Sequence, residues 1–395
     1  MLDKPEAKPL TLELMKNFFR RREISSKPLR NDSIGSLGLI QHSRPSHLPA
    51  KTLAEEIKHQ KQHHEILESV RKRETREENE RKKKREVRLK EEEQLLIDSR
   101  LWTNEILPNF KELKSSKEVK DLWWRGLPPS IRGRVWRLGI SNRLDIGDHI
   151  YNNCLNDVRE NINHEFLVAI TLDVSRTFPA LCVFQENGPL NEPLRSVLAA
   201  YCVYRPDVGY VQGMSFIGAV LTLNMEPNDA FICFSNLLDN PCHRAAFTLN
   251  QTQMNVYYKV YTTALFTNLP KVHAHFVSSG LSPDFYLLDW VYTIYAKAMP
   301  LDVACRVWDI FVRDGDEFLF RTALGVLNLY QGELLDMDFV RAAQFLTKLP
   351  ENLQASQLFE SIASMRVCDG GVSFQEVVDK VSRESRLDQC NGVFS

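Results

Sequence analysis

From about residue 102 onward, apolar residues recur at the spacing of helices. Successive sets are Val168, Ile170 and Leu172, then Leu194, Leu198 and Tyr201, then Phe231, Phe234 and Leu238. Trp290 and Ile294, and later Val307, Ile310 and Phe311, continue the pattern. Proline and glycine fall between these stretches, as at Gly126-Leu127-Pro128-Pro129, Gly188-Pro189, Gly280-Leu281-Ser282-Pro283 and Met299-Pro300. Strand-like alternation bounded by turns is scarce, and no repeat of constant period emerges. The pattern predicts an all-α fold of many moderate helices with short connections over residues 116–385, followed by a disordered tail at 386–395. Trp136, Trp290 and Trp308 each have apolar neighbours at helical spacing and are predicted core residues.

Residues 51–115 read differently, as a long charged helix and a linker. Glycine and proline are absent from residues 51–100. Glu77 precedes Arg81, Glu78 precedes Lys82, Glu80 precedes Lys84 and Glu86 precedes Lys90, each at i,i+4. Such pairs are worth about 0.2–0.5 kcal/mol each. Apolar residues cluster only towards the ends, so no heptad seam supports a coiled coil and the segment reads as a solvated helix. His59 and His63 stand at i,i+4, but no further ligands accompany them to make a metal site. Residues 1–50 are polar, rich in Ser, Pro, Arg and Lys, and predicted mostly disordered. Within them Leu12, Met15, Phe18 and Phe19 could share one helix face with Arg20, Arg21 and Arg22 behind it. That is either a membrane-surface or partner-docking helix, or a tail that folds only weakly.

Charge sharpens this division. The chain of 395 residues has a formal net charge of -1. Residues 1–100 hold 24 Lys+Arg against 18 Asp+Glu (+6), and the remainder holds 26 against 33 (-7). An acidic body argues against a nucleic-acid-binding core, and the basic front suits contact with acidic membranes or partners. No apolar run approaches the roughly eighteen residues of a membrane span, and no signal peptide is evident. The eight cysteines lack CxxC spacing and sit mostly in apolar surroundings, which suits free thiols in a reducing compartment.

The usual enzyme constellations are missing: no phosphate-binding GxxxxGK[ST], no GxGxxG after a strand, no HExxH and no GxSxG. What remains is polar chemistry embedded in apolar helices. In Ile170-Thr171-Leu172-Asp173-Val174-Ser175-Arg176-Thr177-Phe178-Pro179, Asp173 and Arg176 share a helix face and can pair. Pro179 then ends the helix and leaves Arg176 near its end. In Gly209-Tyr210-Val211-Gln212-Gly213, two glycines place Gln212 near the start of an apolar helix. Over residues 125–136, Arg132 and Trp136 stand one turn apart. Taken singly, these are equally a surface salt bridge, a helix cap and a cation stacked on a ring.

Together and in order, these segments resemble the TBC domain, the helical domain of Rab GTPase-activating proteins. The stretch RGLPPSIRGRVW at 125–136 resembles the opening motif of the family. Residues 170–176 fit I-x-x-D-x-x-R, followed by Thr-Phe-Pro, and residues 210–213 fit Y-x-Q-G. Leu301 onward, with Arg306-Val307-Trp308-Asp309, resembles the later R-V-W-D signature, and Phe318 to Leu324 resembles the helix that follows it. The match covers roughly residues 123–335. Val211 stands where many members have cysteine, and Arg205-Pro206-Asp207 where many have Asn-Pro; neither removes a catalytic atom. The charged helix and the wording of the motifs resemble the subgroup of family members fourteen and twelve.

The resemblance implies a multi-helix TBC domain preceded by a long charged helix and a disordered segment. It implies that Arg176 is an arginine finger and Gln212 a glutamine finger, acting in trans on a Rab-family small GTPase. Asp173, Arg132, Tyr210 and Gly213 would support them, with Arg132 a partner of Asp173. It implies no cofactor of the chain's own, since GTP and Mg are carried by the partner GTPase, and no nucleic acid. It suggests a cytoplasmic protein peripherally associated with endosomal, Golgi or autophagic membranes, active in recycling-endosome traffic and autophagy. The alternative is a TBC fold that binds a Rab as effector or scaffold without turnover.

Overall fold

The computed structural model describes residues 52–368 and 370–392. The basic segment 1–50, with the helix read at 10–22, lies outside the described residues, as do 393–395. The described residues form nineteen α-helices and no strand. In chain order these are α1 (Leu53–Leu101), α2 (Phe110–Leu113), α3 (Lys117–Arg125), α4 (Pro129–Ile140), α5 (Asp148–Asn161), α6 (His164–Arg176) and α7 (Asn191–Tyr204). Then come α8 (Met214–Thr222), α9 (Pro227–Leu238), α10 (Pro241–Phe247), α11 (Gln251–Asn268), α12 (Pro270–Ser279) and α13 (Leu287–Thr293). The chain closes with α14 (Leu301–Asp314), α15 (Asp316–Leu329), α16 (Gln331–Leu335), α17 (Phe339–Thr347), α18 (Ala355–Ala363) and α19 (Phe374–Gly392).

The chain divides into two compact units, one ending at Leu101 and one starting at Trp102. In the first, α1 is a single exposed helix laced with ion pairs. Arg81 pairs with Glu77 as predicted, and Arg73–Glu77, Arg76–Glu80 and Arg88–Glu92 add pairs in the opposite order. Such exposed pairs contribute little each, so α1 depends on helix propensity and the absence of breakers.

The second unit begins at Trp102, where the helix-periodic pattern also begins, and so takes in residues 102–115, which the sequence reading left as linker. Trp102, Ile106 and Phe110 are buried, with Trp102 edge-on to Trp123 at 5.5 Å and Phe110 against the same ring at 5.8 Å. Large apolar side chains four apart thus turn residues 102–113 from a linker into the first layer of the core. At the other end, α19 runs through residues 386–392, which the sequence assigned to a disordered tail. No glycine or proline interrupts α19 before Gly392, so nothing local ends it sooner.

Prolines that punctuate the sequence open helices. Pro129, Pro227, Pro241 and Pro270 each occupy a first helical position, where the missing N–H is no loss. Ser116 and Asn163 cap α3 and α6 by accepting from Val119 N (3.2 Å) and Glu165 N (2.9 Å). In the first half of the unit, α7 is the hub and packs on α5, α6, α8 and α9. Leu194, Val197, Leu198 and Tyr201 fill its buried faces. In the second half, α14 packs on α4 and α15, and α15 carries α18. Helix α13 touches α8, α10 and α15, and so joins the two halves.

One predicted apolar set divides on folding. Ile170 is buried, whereas Val168 and Leu172 are 46% and 61% exposed. Residues two apart on a helix point about 200° apart, so the three cannot share a buried face. Trp136, Trp290 and Trp308 are fully buried, as expected, and Trp136 stacks on Trp308 at 5.2 Å. Trp308→Ala is expected to lower stability by roughly 3–5 kcal/mol, read as a drop in the denaturation midpoint; wild-type melting would contradict that placement. Limited proteolysis is expected to cut first within residues 20–100 and leave a resistant C-terminal fragment. A first cut within residues 160–330 would refute independent folding of the helical unit.

Candidate functional site

Helix α6 presents the first predicted site residues. Ile170, Asp173 and Val174 are its buried side. The helix ends at Arg176 because Thr177 folds back: its hydroxyl donates to the Asp173 carbonyl (2.7 Å) and its N–H to the Val174 carbonyl (3.2 Å). Phe178 then adopts a left-handed conformation and Pro179 opens a 3-10 turn. The Arg176 side chain, at the last helical position, is 60% exposed and donates from Nη2 to Asp173 Oδ1. The i,i+3 pairing predicted from the sequence is therefore present.

The second segment is the turn between α7 and α8. Arg205 grips Asp207 with two bonds of 2.8 Å, and its carbonyl accepts from Gly209 N at 2.9 Å. Gly209 has φ +67°, a conformation that favours glycine, and a Cβ there would stand 2.5 Å from the tip of the half-buried Phe166 ring, which would have to shift. Gly213, at φ +103°, is the residue before α8; a Cβ there meets only ordinary contacts, so conformation alone requires glycine. Between them Gln212 is exposed and Tyr210 is buried.

Two buried hydrogen bonds hold these segments together. Tyr210 donates its hydroxyl to Asp173 Oδ2 at 2.6 Å, and the Thr177 and Ser215 hydroxyls meet at 2.9 Å, with Ser215 as donor because the Thr177 proton goes to the Asp173 carbonyl. Burial, then the hydrogen bond and charge of Asp173, push the Tyr210 hydroxyl far above its ordinary pKa, so it stays a donor.

Arg176 and Gln212 consequently open into one cleft of about 470 Å³, with Asp173, Gly213 and Phe216 beside them. The rest of the lining comes from α13 and the turn after it: Asp289, Tyr292, Thr293 and Lys297. That turn is unusual. Ile294 (φ 46°) and Tyr295 (φ 63°) are consecutive non-glycine residues in the left-handed region. Such conformations cost of order 1–3 kcal/mol each and persist only where the surroundings over-determine them. Here Trp308 Nε1 donates to the Ile294 carbonyl at 3.0 Å, and the Tyr295 hydroxyl donates to the Leu319 carbonyl at 2.6 Å. The turn brings Lys297 Nζ within 2.6 Å of Asp289 Oδ2. Sequence reasoning missed this part of the cleft. The available signal was Lys297 itself, the one Lys or Arg in the apolar stretch 281–301.

Residues 129–335 match the Rab-GTPase-TBC domain family. The chain belongs to that family. It is 46% identical over 381 residues to TBC1 domain family member 14 of Bos taurus, covering 91% of this chain and 55% of that protein. It is 44% identical over 391 residues to TBC1 domain family member 12 of Rattus norvegicus, covering 94% and 56%. The chain thus spans about half the length of these curated relatives. Among solved structures, the Chlamydomonas flagellar RabGAP TBC domain superposes with a TM-score of 0.57 at 19% identity, covering 69% of this chain and 93% of that one. That likeness is one of fold.

Within the TBC domain, Arg132 does not join the other site residues in the way the resemblance implied. Its Nε and Nη2 donate to the two carboxylate oxygens of Asp309 at 2.9 and 3.2 Å, and Nη2 also donates to the Leu127 carbonyl at 3.1 Å. Asp309 takes further bonds from Trp136 Nε1 (3.0 Å), Leu127 N (3.2 Å) and Arg306 Nη1 (3.3 Å). Burial by itself would lower the Arg132 pKa, but the charge and hydrogen bonds of Asp309 outweigh it and hold the guanidinium above its ordinary value. The physical reason for the correction is packing: α4 lies on α14, so the fully buried Asp309 is the carboxylate in reach. Arg132→Ala leaves that carboxylate short of its main cation and is expected to cost about 3–5 kcal/mol. A double-mutant cycle with Asp309→Asn should show strong coupling in chemical denaturation, and additive losses would reject this pairing.

Proposed function

We propose that this chain is a GTPase-activating protein for a Rab-family small GTPase, with Arg176 as arginine finger and Gln212 as glutamine finger. The observation that carries the reading is that an exposed guanidinium and an exposed carboxamide, 36 positions apart in sequence, open into one cleft. GTP hydrolysis builds negative charge on the transferring phosphoryl group and on the leaving oxygen. A guanidinium supplied in trans neutralises that charge, an effect on the order of a thousandfold or more in rate. Gln212 orients the attacking water, a task GTPases otherwise give to their own glutamine. Asp173 and Tyr210 act by position: they fix the base of the arginine and the entry to the glutamine before the partner arrives. GTP and Mg belong to the GTPase on this reading, and the chain supplies side chains alone.

The Asp173–Arg176 pair also supports a second reading. A domain that bound its Rab with that pair still closed would be an effector or scaffold without turnover. On either reading, the +6 charge of residues 1–100 suits acidic membrane surfaces. We assign that segment to location, in endosomal, Golgi or autophagic traffic, and not to rate.

Single-turnover hydrolysis across a Rab panel tests the proposal. Arg176→Ala is expected to lower the maximal rate on the order of a thousandfold while leaving Rab binding largely intact. Arg176→Lys should not rescue, because a point charge lacks the planar fork. Gln212→Ala should also slow hydrolysis, and the double variant should be little worse than the worse single one. Stimulation should survive when the Rab's switch glutamine is changed to leucine. Equal rates for wild type and Arg176→Ala would instead favour the effector reading.

A further inference from the structure

The cleft holds a second cation that the finger mechanism leaves unused. Lys297 lines it together with Arg176 and Gln212, and its ammonium is paired at rest with Asp289 at 2.6 Å. The cleft therefore contains two closed ion pairs, Asp173–Arg176 and Asp289–Lys297. They differ in setting. Asp173 is buried and also holds Tyr210, whereas the Asp289 and Lys297 side chains are 45% and 40% exposed. An exposed pair of that kind contributes little to folding. Yet the chain holds Ile294 and Tyr295 left-handed to bring Lys297 there, and buried bonds to Trp308 and Leu319 maintain the turn. Strain kept beside a cleft points to placement of a functional group.

We propose that Lys297 is a recognition residue for the GTPase, and that an acidic side chain beside the GTPase's nucleotide site replaces Asp289 as its partner in the complex. This rests on the reading of the cleft as the GTPase site. The chemistry favours a carboxylate. A lysine ammonium is a compact, hydrated charge, and the partner it already holds at rest is a carboxylate, while Arg176 supplies the planar fork for phosphate. Exchanging one carboxylate for another at a half-exposed position needs little new desolvation. Charges so placed act mainly on association rate and on the salt dependence of binding.

The test is carried out on the full chain with each Rab of the panel, loaded with a non-hydrolysable GTP analogue for binding and with GTP for single turnover. Lys297→Ala is expected to weaken binding about tenfold at low salt, mostly through slower association. The difference should shrink towards 1 M salt, where the screening length falls to about 3 Å. Lys297→Arg should bind close to wild type, Lys297→Glu should bind worse than Lys297→Ala, and the rate at saturating chain should stay within about twofold. Unchanged binding by Lys297→Ala would overturn the proposal. So would a fall in saturated rate at constant affinity, which would assign the lysine to nucleotide phosphate. A lowered melting temperature that accounts for the loss, with no recovery in Lys297→Arg, would overturn it as well. Binding without turnover by wild type would reject the activator reading and leave the Lys297 comparison intact. Binding to no Rab would reject both.

Discussion

A single buried carboxylate, Asp309, holds the two ends of the family-matching region together. It has no exposure to solvent, so its charge must be met inside the protein. Arg132, Trp136 and the Leu127 amide do so from residues 127–136, and Arg306 from one turn before Asp309 in α14. Arg306 reaches on to the Trp124 carbonyl at 2.7 Å and lies over the Phe359 ring at 4.6 Å, which adds α18 to the assembly. Burial depresses the Arg306 pKa, while Asp309 works against that. Replacing such a network with apolar groups can leave a protein equally stable, whereas removing one member leaves a charge stranded. What the arrangement fixes is geometry: α4 is locked on α14, Trp136 stacks on Trp308, and Trp308 in turn holds the carbonyl of Ile294. The strained turn beside the cleft is thus linked to Asp309 by three successive contacts.

The helical fold was legible because its signals are local. Prolines and glycines between helical stretches, and tryptophans with apolar neighbours at helical spacing, each act within a few residues. Boundaries were less legible. Trp102 to Phe110 read as linker because their partner, Trp123, lies beyond the window in which periodicity is judged. Val168 and Leu172 were grouped with Ile170 by spacing, although helix geometry turns them outward and Ile170 inward.

The cleft was half legible. Asp173 with Arg176, and Tyr210 with Gln212 and Gly213, announce themselves by short spacings. Arg132 was assigned to Asp173 from the resemblance, and only the packing of α4 on α14 shows that its carboxylate is Asp309. Nothing in the sequence near Lys297 indicates that a left-handed Ile-Tyr step folds it back onto Asp289. That step depends on acceptors and donors in α14 and α15, far along the chain.

Asp173 divides its two oxygens between different masters. Oδ1 accepts from Arg176 and Oδ2 from Tyr210, and the Thr177–Ser215 bond runs alongside. The carboxylate is therefore a shared hinge pin for two levers drawn from distant parts of the chain. Both levers seat on one buried point, and the Thr177–Ser215 contact gives a second, so two anchors set the distance between their bases. A pin of this kind also constrains inheritance: neither segment can drift alone, because any change that suits one lever must keep the other seated.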